Sequence, residues 1–168
     1  MNAMTEQNLI NAFGGESMAH MRYSHFADKA EREKLPNVAR LFRAIAYAEF
    51  IHAGDHYREL RHLNDGYVAN SMGAFGPGDT LKNLGLAIAG ESFEIEQMYP
   101  AYIEVAQFQN EKQAQRSFER AERVVREKKD LDLGPVQVCG LCGYTLEGDA
   151  PDQCPLCMAK KEMFKSFE

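Results

Sequence analysis

From Thr5 to Lys34 the chain runs without a proline, and Leu9, Phe13, Tyr23 and Ala27 recur at helical spacing, which predicts a first long helix. Pro36 suits the opening turn of a second helix reaching about His62, with Val38, Leu41 and Ile45 along one stripe. The stretch NDGYVANSMGAFGPGD (64–79) is rich in glycine and turn formers and predicts a long connection. A third helix is predicted from about Thr80 to Gln109, with a kink where Pro100 removes an amide donor. A fourth, about Glu111 to Asp130, is crowded with charge and keeps only Ala114, Phe118, Ala121, Val124 and Val125 apolar. After LDLGP the pattern changes. Val136 to Glu168 reads as short strands and turns, so the chain divides into a helical unit, 1–133, and a small unit, 134–168.

The helical unit contains a repeat. AFGGES (12–17) and AIAGES (87–92) agree at four of six positions, 75 residues apart, and each is expected to start a helix carrying a tyrosine further on, Tyr23 and Tyr99. Two related helix pairs predict a mainly α protein built on a four-helix bundle.

Several acidic residues break the polar pattern. Glu16 falls on the line Leu9, Phe13, Glu16, Tyr23, and Glu49 with His52 continues Val38, Leu41, Ile45. Glu91 and Glu94 fall on Leu84, Ala87/Ile88, Glu91, Glu94/Ile95, Met98, Tyr102, so all five polar residues lie on stripes that should face the core. Desolvating an ionised carboxylate costs several kcal/mol unless something of opposite charge compensates it. A single glutamate at a stripe's edge could pair with an arginine. A Glu-x-x-His pair and three further glutamates on matching faces of three helices instead predict a divalent or trivalent metal, with Glu49 and His52 on one helical face.

All four cysteines, Cys139, Cys142, Cys154 and Cys157, lie in the small unit as two Cys-x-x-Cys hairpins eleven residues apart. That arrangement presents four thiolates to one tetrahedral ion, zinc or iron, and the unit is small enough for the metal to contribute much of its folding energy. The net charge of −6, with basic residues interleaved among acids, gives no footprint for nucleic acid. The first ten residues lack a signal peptide's pattern, and no apolar run approaches the ~20 residues needed to cross a bilayer. A cytoplasmic protein with no membrane association is expected.

GESMAHMRYSHFADKAE, PNVARLFRAIAYAEFIHA and GESFEIEQMYP, followed by CGLCGY and CPLC, resemble the rubrerythrin family over nearly the whole chain. The resemblance implies a ferritin-like di-iron bundle followed by a rubredoxin-like Fe(Cys)4 domain. It implies a non-haem peroxidase that reduces hydrogen peroxide to water and protects against oxidative stress. Electrons would come from a rubredoxin- or reductase-type donor protein, and the expected assembly is a homodimer or higher oligomer, head to tail. Carried over by position, Glu16, Glu49, His52, Glu91 and Glu94 match metal ligands. Tyr23 and Tyr99 match tyrosines that hydrogen-bond to ligand carboxylates.

One element of the family pattern is absent. Glu16 precedes Glu49 by 33 residues and His52 by 36, and the same steps from Glu91 reach Val124 and Glu127. The five histidines are His20, His25, His52, His56 and His62, so no imidazole follows position 62. Either a fourth-helix segment near Val124–Val125 is missing, which the short helix favours, or the site is degenerate, with Glu119, Glu122 or Glu127 standing in. A partner copy lacks the same histidine and cannot supply it. An iron-handling ferroxidase and an electron-transfer protein with a decayed bundle site are therefore the alternative functions. His20 and His56 read as core histidines one turn from the site, and His25 and His62 as surface residues.

Overall fold

The computed structural model describes residues 1–75, 78–111 and 134–168. Helix α1 spans Ala3–Arg32 and α2 spans Pro36–Glu59. The turn between them is closed by Lys34 in the left-handed region (φ 61) and by the Leu35 amide bonding to the Ala30 carbonyl at 3.0 Å, after which Pro36 enters α2 at its first turn. Alanines on the facing sides, among them Ala19 and Ala27 of α1 and Ala46 of α2, let the two helices approach closely. Phe26, Phe42 and Tyr23 fill the space between, with Phe26 and Phe42 edge to face at 5.5 Å.

The connection 64–79 ends at Asp79, whose carboxylate caps α3 (Thr80–Phe93) by accepting from the Lys82 amide at 2.9 Å. The Thr80 amide is held by Glu33 at the end of α1, at 2.9 Å. The interruption expected at Pro100 lies one turn upstream. Glu94–Met98 forms a π-helical turn, closed by the Tyr99 amide on the Glu94 carbonyl, and α4 resumes over Tyr99–Phe108. Pro100 has no amide to give, and the widened turn ahead of it accommodates that loss.

The extra residue corrects the predicted stripe. Tyr99 becomes fully buried and Met98 is only partly covered, while upstream of the turn, at the predicted Ala87/Ile88 position, Ala87 is buried and Ile88 is 66% exposed. Both copies of the repeat also lie inside helices rather than at their starts. The predicted fourth helix, with Glu119, Glu122 and Glu127, lies outside the described residues. Among the described residues no helix is long and apolar enough to cross a membrane.

The C-terminal segment forms a three-stranded antiparallel sheet in the order β2 (Thr145–Glu147), β1 (Val136–Cys139), β3 (Phe164–Phe167). The sheet packs on α2 of its own chain. Val136 and Val138 meet Ala44 and Ala48, Phe167 lies 5.9 Å from the Tyr47 ring, and Lys165 Nζ sits 4.4 Å above that ring.

Candidate metal centres

Two cysteine hairpins of the same backbone design build the first centre. In one, the Cys139 amide bonds to the Tyr144 carbonyl (2.8 Å) and the Gly143 amide to the Cys139 carbonyl (2.9 Å). In the other, the Cys154 amide bonds to the Ala159 carbonyl (2.7 Å) and the Met158 amide to the Cys154 carbonyl (3.0 Å). The fourth residue after each leading cysteine is left-handed, Gly143 at φ 77 and Met158 at φ 62.

The hairpins bring the four sulfurs within 4.8 Å of one another, with Cys139–Cys157 and Cys142–Cys154 both at 3.7 Å. A disulfide would need ~2.05 Å, whereas a tetrahedral ion with ~2.3 Å sulfur bonds separates its sulfurs by ~3.8 Å. The geometry fits a metal. The Cys142 thiol and nearby backbone amides bring the Cys139 pKa down to about 5, while burial raises that of Cys157 to about 11.

The second centre lies in the bundle. Glu16 on α1 and Glu49 and His52 on α2 are buried and offer ligand atoms within 4.8 Å of one another. His52 Nδ1 is 2.9 Å from Glu49 Oε2 and 3.9 Å from Glu16 Oε1, so that nitrogen faces the carboxylates. Glu91 is also buried, and Glu94 is partly so. Neither belongs to the tight group of three, but Glu94 acts on Glu16, and both act on Tyr23, through their charge.

The tyrosines cross between helix pairs: Tyr23 Oη donates to Glu91 Oε1 at 2.8 Å, and Tyr99 Oη donates to Glu16 Oε1. The exchange explains the π turn. Tyr23 follows Glu16 by seven residues and Tyr99 follows Glu91 by eight, and the widened turn absorbs the difference. Burial, then the charges of Glu94 and Glu49, push the Glu16 pKa well above the usual carboxylate range. Burial and the neighbouring carboxylates likewise raise Tyr23 and Tyr99, which keeps both phenols protonated as donors. Glu16 Oε2 and His52 Nε2 are buried with no hydrogen-bond partner among the described residues. Converging carboxylates, an imidazole nitrogen among them and an unsatisfied buried oxygen are the donor set of a cation site, and a cation would reverse the electrostatic penalty.

The two centres meet at His52. A Cβ built on Gly143 would lie 2.5 Å from His52 Nε2 and 2.8 Å from its Cδ2, so the first cysteine hairpin rests directly on the imidazole edge opposite the carboxylates. Two residues outside the predicted ligand set belong to this surround. One is Gly143. The other is His56, expected as a core histidine, which is fully buried with Nε2 3.2 Å from Tyr99 Oη. Its position four residues after His52 was the available signal. His20 bonds through Nδ1 to the Ala46 carbonyl at 2.6 Å, and His62 pairs at the surface with Glu6.

The rubrerythrin family model matches residues 7–127, and the rubrerythrin rubredoxin-like domain matches 137–165. Rubrerythrin-2 of Clostridium acetobutylicum is 43% identical over 99% of this chain and 98% of its own length. That alignment spans 182 positions against 168 residues here, so at least 14 of its positions have no counterpart in this chain. Nigerythrin of Nitratidesulfovibrio vulgaris is 33% identical over 97% of this chain and 86% of its own. A solved structure of nigerythrin in its fully reduced, all-ferrous state superposes with a TM-score of 0.83 at 30% identity, covering 97% of this chain and 86% of that one. The carboxylate–histidine cluster and the four-cysteine cluster are both present, consistent with the iron centres of these relatives. With its helical bundle and short-stranded cysteine-bearing tail, the chain belongs to the rubrerythrin family.

Proposed function

We propose that the protein is a peroxidase that reduces hydrogen peroxide to water with electrons that enter through the four-cysteine centre. The observation that supports this most is the seating of Gly143 on His52, which leaves one imidazole between the two donor sets. Glu16, Glu49 and His52, with Glu91 and Glu94, would hold iron in the bundle, and Cys139, Cys142, Cys154 and Cys157 would hold one more. Bound iron supplies single-electron exchange at the cysteines, and at the carboxylates the electron pair and Lewis acidity that O–O cleavage requires.

The chain's own residues do the rest. Reduction of one peroxide consumes two protons, which would come from the ligand carboxylates or from the phenols of Tyr23 and Tyr99, each already aimed at a candidate ligand carboxylate. Burial of Glu16, Glu49 and His52 to 3% exposure or less excludes bulk water and strengthens each of these interactions. The Ala44, Ala48, Val136 and Val138 contact holds the sheet, and with it the cysteine hairpin, against α2. In this reading the electron donor is a rubredoxin- or reductase-type protein, the setting is a reducing cytoplasm that keeps the thiols free, and the working form is a homo-oligomer.

The test is to reduce the full-length, iron-loaded protein without oxygen and add hydrogen peroxide. Rapid oxidation of the reduced protein, the cysteine centre included, with two electrons in total consumed per peroxide, is the expected result. Failure of peroxide to oxidise the reduced protein would sink the assignment. Catalytic ferrous-iron uptake without a donor protein would favour an iron-handling role instead.

A further inference from the structure

His56 takes no part in the mechanism above, yet it is completely buried on α2, one turn beyond His52. Tyr99 lies between it and Glu16. The two rings are 6.1 Å apart, and Tyr99 Oη touches His56 Nε2 at 3.2 Å on one side and Glu16 Oε1 on the other. A phenol carries one proton, and a carboxylate serving as a metal ligand can only accept. Tyr99 must therefore spend its proton on Glu16, and its oxygen can meet His56 only as an acceptor.

We propose that His56 is a positioning residue for the metal centre: its Nε2–H donates to Tyr99 Oη and holds the phenol with its proton directed at Glu16. The hydrogen bonds then run one way, from His56 to Tyr99 to Glu16. The hydroxyl hydrogen of a tyrosine has two favoured in-plane positions, and a donor at His56 closes the one that points away from Glu16. The equivalent tyrosine is supported differently: the Tyr23 ring packs on Phe26 and Phe42, with the Arg22 guanidinium 5.3 Å from its centroid. An apolar side chain would fill the His56 site without the desolvation cost of an imidazole, so the polar choice calls for a polar role.

The inference rests on Glu16 being a metal ligand, so its readouts do not depend on peroxide turnover. Iron release from the loaded full-length protein to an excess of chelator is compared for wild type, H56Q, H56M, Y99F and the H56M/Y99F double variant. Nitrogen-15 NMR of the histidines is recorded on the zinc-loaded wild type. H56M should release bundle iron about 2- to 10-fold faster, the factor expected for one lost hydrogen bond. H56Q, whose amide can donate, should stay within about twofold of wild type. H56M should have a much smaller effect in the Y99F background, because the part of its effect that acts through Tyr99 has nothing left to position. The NMR should find a proton on His56 Nε2.

An equal effect of H56M with and without Tyr99, or an unprotonated Nε2 in a chain that retains its metal, would overturn the inference alone. A wild type that holds no bundle iron would overturn the reading of Glu16 as well. If H56M does not fold, H56Q and the wild-type spectrum still decide the question.

Discussion

Gly143→Ala tests the contact that joins the two centres. The new Cβ would stand 2.5 Å from His52 Nε2, whereas ordinary contact begins at 3.4 Å, so the hairpin must retreat by 0.9 Å or displace the imidazole. Neither is easy, because the Ala48 carbonyl closes the same space at 3.2 Å and the hairpin backbone is fixed by its own bonds to Cys139. Gly143 is also left-handed, which costs an alanine about 1–2 kcal/mol. Overpacking adds about 1–3 kcal/mol. Gly148→Ala is the control, since Gly148 has φ 89 but open space around it, and should cost only the backbone strain.

Thermal unfolding of the full-length protein should therefore place G143A below G148A by about 2–12 °C, at roughly 2–4 °C per kcal/mol for a chain of this size. In an H52A background, where the ring is gone, most of that difference should disappear. G143A should also slow reoxidation of the cysteine centre by peroxide while metal content stays unchanged. If G143A were no more costly than G148A, or equally costly without His52, the hairpin would not rest on the imidazole and the argument would fail.

Met158 occupies the left-handed position of the second hairpin with its side chain 63% exposed, so Met158→Gly should relieve strain and raise stability by about 1 kcal/mol, measured as a higher urea midpoint. Cys154→Ala should remove one metal per chain by elemental analysis and unfold the C-terminal sheet, while the helical circular dichroism of α1 and α2 persists. Tyr23→Phe should remove the donor to Glu91 and cost about 1 kcal/mol in thermal unfolding, without changing the cysteine centre's spectrum. Hydrogen bonds from Lys29 and Thr80 pull the Glu33 pKa down from 4.5 to about 2, so its stabilising effect is complete above pH 4.5 and fades as the pH falls toward 2. The stability difference between wild type and E33Q should shrink through that window in urea titrations, and a difference that grew on acidification would refute it.

Much of the fold was legible because each long helix carries its own periodic stripe and the cysteines are spaced as hairpins. The acids were legible for the same reason, since Glu16, Glu49 and Glu91 break apolar stripes and all three prove buried. What the periodicity could not reveal was the π turn, because a fixed helical repeat places Met98 rather than Tyr99 in the core. The clue lay in the unequal spacing of the repeat, seven residues from Glu16 to Tyr23 but eight from Glu91 to Tyr99. The reciprocal pairing of those tyrosines with the opposite glutamates, and the seat of Gly143 on His52, are tertiary contacts between segments 68 or more residues apart in sequence. No local pattern encodes them.

Among the described residues the bundle pairs Glu16 with Tyr99 and Glu91 with Tyr23 in a twofold pattern, while its buried imidazoles all lie on the first helix pair. Glu16 takes its proton donor from the second helix pair and Glu91 from the first, as a twofold relation requires. Every histidine of the chain precedes residue 63, so residues 112–133 hold no ring nitrogen. The half of the site built on α1 and α2 keeps both imidazoles, His52 in the cluster and His56 behind Tyr99, and it is also the half on which the cysteine hairpin rests. Imidazole suits iron and zinc, while sites of carboxylate alone suit harder ions and hold borderline metals less firmly. The described imidazoles of the site are thus concentrated on the helix against which the cysteine hairpin rests, so the candidate ligand His52 and the hairpin must move together.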